Sequence, residues 1–126
     1  MNTILKVNNI TKTYNKGQQP SLDKVSFNVS EGEFIGIMGA SGSGKTTLLN
    51  VLSTIDKPTS GDIFINNINL KSLNDTCAAD FRKDNLGFIF QEYFLLDSLT
   101  IFENISVPLT LQKLNPDKIE NMVKSL

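Results

Sequence analysis

Three observations predict an α/β domain organised around a phosphate-binding loop. First, Gly39-Ala40-Ser41-Gly42-Ser43-Gly44-Lys45-Thr46 fits G-x-x-x-x-G-K-[ST], a pattern that chance gives roughly a few times in a thousand chains of this length. Second, the flanks are those the motif requires. Phe34-Ile35-Gly36-Ile37-Met38 is short, apolar and bounded by turn formers, as a buried strand is, and residues 46–52 carry leucines at 48, 49 and 52 on one helical face. Third, Leu86-Gly87-Phe88-Ile89-Phe90 is another apolar run of strand length. Apolar along their whole length, residues 34–38 and 86–90 read as strands of a parallel core sheet buried on both faces.

The residue types in the loop follow from its chemistry. Glycines at 39, 42 and 44 admit backbone conformations closed to residues with a Cβ and let amide N–H groups come close to phosphate oxygens. Those amides form an anion-binding nest, and the helix that follows points its positive end at the same place. In this motif Lys45 reaches the β- and γ-phosphates and the Thr46 hydroxyl binds Mg²⁺. A Gly/Ser-rich flexible linker has no reason to carry Lys-Thr at its end or an apolar strand before it.

Composition narrows the function. One domain is expected for 126 residues, and 40% hydrophobic with 20% charged residues is a globular balance. A net charge of −1 shows no basic excess and argues against nucleic acid as the main partner. No apolar run approaches the roughly eighteen residues of a membrane span, and Met1-Asn2-Thr3-Ile4-Leu5-Lys6 has no signal-peptide pattern. The single cysteine, Cys77, suits a reducing compartment and reads as a small buried apolar residue. With no histidine present, histidine-based catalysis and histidine metal sites are excluded within these residues.

The elements follow in order. Residues 4–13 read as a strand, with Leu5 and Val7 against Lys6 and Asn8, ending in the turn signal Thr13-Tyr14-Asn15-Lys16-Gly17. By spacing, Tyr14 is either a tyrosine packing at a strand end or an exposed aromatic that stacks on a base. Residues 22–30 alternate as a half-buried strand, and Glu31-Gly32-Glu33 turns the chain towards the loop. These two strands predict a small antiparallel β-layer. After the helix, Lys57-Pro58-Thr59-Ser60-Gly61 breaks the chain, and residues 62–68 read as a hairpin turning at Asn66-Asn67. Residues 72–83 are weakly helical, capped by Ser72 or Asn74 and anchored by Phe81; Arg82, the only arginine, reads as a surface residue. Gln91, at the end of the second apolar run, is either a polar residue leaving a strand or one placed to orient water or touch Mg²⁺. Thr100-Ile101-Phe102-Glu103 is a capping box that starts a helix, which Pro108 is expected to kink or break. Asn115-Pro116-Asp117 opens a last helix with Ile119, Met122, Val123 and Leu126 on one face, and this pattern runs to the final residue with no C-cap signal.

Taken together these residues resemble the ATP-binding cassette family, the ATPase subunits of ABC transporters, over the whole chain. The resemblance rests on residues 4–14, Leu22-Asp23-Lys24-Val25-Ser26-Phe27, the loop, Lys57-Pro58-Thr59-Ser60-Gly61 and Leu86-Gly87-Phe88-Ile89-Phe90-Gln91. It implies the P-loop NTPase fold of an ABC-type nucleotide-binding domain: residues 1–91 as β-layer and P-loop core, and residues 92–126 as Q-loop exit and start of the helical subdomain. It implies Mg²⁺ and ATP as cofactors, with Tyr14 stacked on adenine and Gly39, Ala40, Ser41, Gly42, Ser43, Gly44, Lys45, Thr46 and Thr47 around the phosphates. Lys45 then neutralises charge, and Thr46 and Gln91 coordinate Mg²⁺ or the attacking water. Family cassettes run to about twice this length, and the signature motif, the Walker B carboxylates and the switch histidine are not found here. The chain therefore reads as the N-terminal half of a cassette, expected not to hydrolyse ATP by itself, to expose apolar surface and to associate. The complete protein is implied to be a homodimer of cassettes, peripheral at the cytoplasmic face of the plasma membrane through a transmembrane permease. The region of Tyr93, Phe94, Leu95 and Leu96 receives the permease, or packs within the helical subdomain. Residues 91–105 look like the group exporting antimicrobial peptides such as bacitracin, related to macrolide-efflux and lipoprotein-release ATPases. Two other functions fit a cassette sequence, a soluble ATPase acting in translation or repair and a non-catalytic nucleotide-binding fragment.

Overall fold

Alternation of apolar and polar residues builds the sheet on which the first half of the chain rests. The computed structural model describes residues 2–90 and 92–126, and its two units meet in sequence between Ala79 and Asp80. In the first unit, β1 (Thr3–Lys12), β2 (Leu22–Ser30), β3 (Ser60–Ile65) and β4 (Ile68–Asn69) form an antiparallel sheet in the order β2-β1-β3-β4. Val7 lies opposite both Phe27 and Ile63, and Leu5 opposite Val29 and Ile65. Because side chains alternate across a pleated strand, these six share one face and Lys6, Asn28 and Phe64 the other. Val7, Ile10, Ile63 and Ile65 are buried and join Leu22, Leu48 and Val51 in the core of this unit.

Ile10 is out of phase with Leu5 and Val7, yet it is fully buried. A register shift between Val7 and Ile10 restores its face, with Asn9 at a φ of 47°. The freed Asn9 N–H donates to Ser26 Oγ at 2.8 Å. On the neighbouring strand the irregularity meets Gly61, whose φ is +93° and where an added Cβ would lie 2.5 Å from Asn9 O and 2.6 Å from Asn8 O. Both contacts are with backbone, which has little room to yield. Gly61→Ala is expected to destabilise the protein by about 3 kcal/mol, combining the left-handed penalty with overpacking; thermal denaturation of the variant beside wild type checks this.

The predicted hairpin forms, with Ile65 opposite Ile68 and both Asn66 and Asn67 at positive φ, 48° and 63°, the pair of left-handed residues that a two-residue I′ turn needs. Helix α1 (Lys45–Leu52) follows the glycine loop and buries Leu48 and Val51. The expected stripe of Leu48, Leu49 and Leu52 is corrected, since Leu49 is exposed. Val51, three residues after Leu48, completes the inward face instead.

Residues 34–38 are not a strand, and Phe34 and Met38 are almost wholly exposed. The same holds for residues 86–90, where Ile89 is fully exposed. The predicted parallel core sheet is therefore absent among the described residues. An inner parallel strand needs hydrogen-bonding neighbours on both edges and cover on both faces, and among the described residues neither run has a ladder partner. The expected exposure of apolar surface is what the structure shows.

Helix α2 (Asp75–Asn85) spans the boundary between the units. Asn74 is its cap, accepting from the Cys77 N–H at 2.8 Å, and Phe81 is buried as expected, whereas Cys77, expected to be buried, is exposed and its neighbour Ala78 takes the inward position. In the second unit α3 (Ile101–Leu111) packs on α4 (Pro116–Lys124). Thr100 and Glu103 form the predicted capping box, and backbone and side-chain hydrogen bonds from Thr100 hold the Glu103 carboxyl below its usual range. Asn115 caps α4 by accepting from the Asp117 N–H, and Pro116 takes the first position. Ile119 and Val123 are buried, whereas Met122 and Leu126 are exposed.

Pro108 does not break α3, which runs three residues further. Proline removes one donor from the ladder. The turns on either side are reinforced by hydroxyls, Ser106 donating to Phe102 O at 2.6 Å and Thr110 to Ser106 O at 3.0 Å. Ahead of this helix, Asn104 organises the preceding loop. Its Oδ1 accepts from Leu96 N–H at 2.8 Å, and its Nδ2 donates to the carbonyls of Leu96, Leu99 and Thr100 at 3.0–3.1 Å. Asn104→Ala is expected to cost about 1–2 kcal/mol and to speed amide exchange at Leu96 before it does so elsewhere in the unit.

Candidate functional site

The glycine loop is shaped from the residues upward. Ser43 N–H donates to Ala40 O at 3.2 Å and turns the chain, and Leu48 N–H donates to Gly44 O at 2.8 Å as α1 begins. Gly44 stands at the N-cap with a φ of +89°, and no side chain caps the helix. A Cβ on Gly44 would lie 2.3 Å from Ser21 O, and one on Gly39 would lie 2.5 Å from Ser43 Oγ. At Gly44 the obstacle is the backbone of Ser21 and the φ is positive, so glycine is required there, whereas at Gly39 the obstacle is a hydroxyl that can turn aside. The first turn of α1 carries no acidic side chain, so its positive end is not neutralised locally.

Lys45 folds back over this loop. Its ammonium donates to Gly39 O at 2.8 Å and Ala40 O at 2.7 Å, with Ser43 Oγ at 3.4 Å. An ammonium has three donors, one for each of these oxygens, and the longest contact, to Ser43 Oγ, is the weakest. Thr46 is exposed at the second position of α1 and Thr47 is half-buried. A glycine cradle, an uncapped helix start and a lysine held across the loop suit the oxygens of a di- or triphosphate. Gln91, assigned by resemblance to Mg²⁺ or the attacking water, lies outside the described residues.

Tyr14 stands at the end of β1 with more than half its surface exposed, and the Lys12 ammonium lies 4.8 Å from the centre of its ring. Lys12 is itself paired with Asp56 at 2.6 Å. Burial raises the Asp56 carboxyl, but hydrogen bonds from Lys12, the Lys57 N–H and the Tyr14 hydroxyl outweigh it and hold the carboxyl below its usual range. Since the folded value is lowered, the pair contributes stability above the unfolded carboxylate range and loses it as pH falls through the folded one. Sequence reasoning passed over Lys12 and Asp56, which are 44 positions apart and share no motif.

In the second unit Phe88 and Phe90 stack at 5.6 Å, and Phe94 meets Phe90 edge-on at 4.9 Å. Tyr93, Phe94, Leu95 and Leu96 are all exposed, as an apolar surface segment. No described helix is long and apolar enough to cross a membrane.

The ATP-binding protein YxdL of Bacillus subtilis, an ABC transporter protein, is 52% identical over 128 residues that cover 100% of this chain and 49% of that protein. The bacitracin export ATP-binding protein BceA of Halalkalibacterium halodurans is 52% identical over 113 residues, 88% of this chain and 45% of that one. Among solved structures, the dimeric ATP-binding cassette MJ0796 bound to ADP and Pi superposes with a TM-score of 0.87 at 38% identity, covering 96% of this chain and 54% of its own. The chain spans about half the length of the curated relatives it matches. The sequence profile described as "ABC transporter" matches residues 22–126, and the chain belongs to the ABC transporter family.

Proposed function

We propose that this chain is the nucleotide-binding portion of an ABC transporter's ATP-binding subunit, which binds Mg·ATP and couples its hydrolysis to export of a peptide or lipophilic substrate such as an antimicrobial peptide. The observation that carries the reading is the seating of Lys45 across a glycine loop that opens directly into an uncapped helix. Residues 39–47 hold the phosphates through backbone amides, the Lys45 ammonium and the exposed hydroxyl of Thr46. Tyr14 gives the base a stacking surface, a gain of about 1–3 kcal/mol. Gln91 orients the attacking water or touches the metal. When bound, Mg²⁺ supplies charge neutralisation at the phosphate oxygens.

In the whole protein two cassettes act as a homodimer, and the exposed segment of Tyr93, Phe94, Leu95 and Leu96 meets a transmembrane permease that keeps the subunit at the cytoplasmic face of the membrane. The likeness to BceA supports peptide export over other cargo. Calorimetric titration of the intact protein with Mg·ATP and with AMP tests the nucleotide site; the triphosphate is expected to bind at least about tenfold tighter, because AMP offers the loop no β- or γ-oxygens. Equal affinities overturn the assignment. Loss of the gene is expected to sensitise the host to peptide antibiotics, and unchanged sensitivity across such a panel removes the export reading while leaving the nucleotide site in place.

A further inference from the structure

The contacts around Lys12 join three parts of the first unit that the phosphate loop alone does not connect. Through its backbone, Lys12 O accepts from Ser21 N–H at 2.7 Å, and Ser21 O is the atom against which Gly44 is packed. Through its side chain, Lys12 Nζ donates to Asp56 Oδ1 at 2.6 Å and to Lys57 O at 2.8 Å. Asp56 is anchored in turn to the loop helix, because the N–H groups of Ile55 and Asp56 both donate to Asn50 O. Lys12 is therefore linked to the start of α1 through Ser21 and touches the exit from α1 with its side chain. The same ammonium lies over the Tyr14 ring. The backbone leading to Tyr14 is clamped separately: Thr13 N–H donates to Thr59 Oγ1 at 3.0 Å, and Thr59 N–H donates to Thr11 O at 2.8 Å.

Stability alone gives no reason for a lysine here. Its side chain is only 12% exposed, and a largely buried ion pair is no more stabilising than apolar residues of similar volume. What a cation does at this place, and an apolar side chain does not, is fix an aromatic ring by its face. We propose that Lys12 and Asp56 are positioning residues of the nucleotide site: the ion pair holds the ammonium over one face of Tyr14 and leaves the opposite face to an adenine-type base. This rests on the reading of residues 39–47 and Tyr14 as a nucleotide site. Because Asp56 neutralises Lys12, the pair acts on the base through the ring and adds little attraction for the phosphates.

The experiment compares Mg·ATP with magnesium tripolyphosphate, which has the phosphates and no base, by calorimetry on the intact protein. The variants are Lys12→Met/Asp56→Leu, which removes the pair without stranding a buried charge, and Lys12→Arg, which keeps a cation. The double variant is expected to weaken Mg·ATP about 3- to 10-fold, the range of a cation–π contact, and to leave tripolyphosphate unchanged. Lys12→Arg is expected to bind Mg·ATP like wild type. The triple variant, Tyr14→Ala on top of the double, is expected to bind Mg·ATP no more weakly than Tyr14→Ala alone. Equal losses for both ligands, unchanged Mg·ATP binding, or additivity with Tyr14→Ala would overturn the proposal and leave the nucleotide site intact. Wild-type protein that binds neither ligand, or whose Mg·ATP affinity is indifferent to Tyr14→Ala, overturns the underlying reading and the proposal with it.

Discussion

Lys45→Ala is expected to weaken Mg·ATP binding by about 10- to 100-fold, the worth of one or two charge-assisted hydrogen bonds to phosphate, with little change in melting temperature. The two effects separate because of where the ammonium sits. Its partners Gly39 O and Ala40 O are on exposed residues, so water replaces the lost donors at little cost once the lysine is gone. A phosphate held in the loop has no such substitute, since Lys45 is the only cationic side chain in residues 39–47. Titration calorimetry and a thermal melt of the same preparation of the intact protein give both numbers. A binding loss accompanied by an equal loss of stability would mean that Lys45 only holds the loop in shape. Unchanged binding would remove the phosphate-site assignment altogether.

The motif, both N-cap asparagines, the Thr100–Glu103 box and the Asn66-Asn67 hairpin were legible in the sequence because each is a local device whose partners lie within a few residues. Four kinds of feature were not. The bulge at Asn9 hides in a run that otherwise alternates; its one trace is Ile10, an apolar residue on the polar parity. The helix face was misread because Leu49 competes with Val51 for the inward position, and only tertiary packing decides between them. The parallel strands were read from apolarity, which records what a segment can bury and not whether neighbours are present to bury it. The Lys12–Asp56 pair belongs to a fourth class, created by chain topology where β1 passes beside the exit from α1.

The same distinction between local motif and tertiary necessity decides the expected behaviour of Gly44→Ala. The motif demands glycine there for the sake of the ligand, but the structure supplies a reason independent of any ligand. Gly44 has a φ of +89°, and its missing Cβ faces Ser21 O at 2.3 Å and Leu22 Cδ2 at 3.2 Å. Leucine carbons can turn aside, but Ser21 O belongs to backbone held by the Ser21 N–H bond to Lys12 O. An alanine must therefore push the loop off the strand end or pull the strand end off β1. Either movement adds to a left-handed penalty of about 1–2 kcal/mol, for a total loss of about 3–4 kcal/mol once the overpacking is included. Mg·ATP binding should fall together with stability, since displacing the residue that starts α1 moves the amides and Lys45 as one. Gly36→Ala is the matched control, lying just before the loop with nothing within 4 Å of its added Cβ and no positive φ, and it is expected to leave both quantities nearly unchanged. If Gly44→Ala instead melts like wild type and loses only nucleotide affinity, the loop yields without strain, and the packing of Ser21 against it is not what fixes its shape.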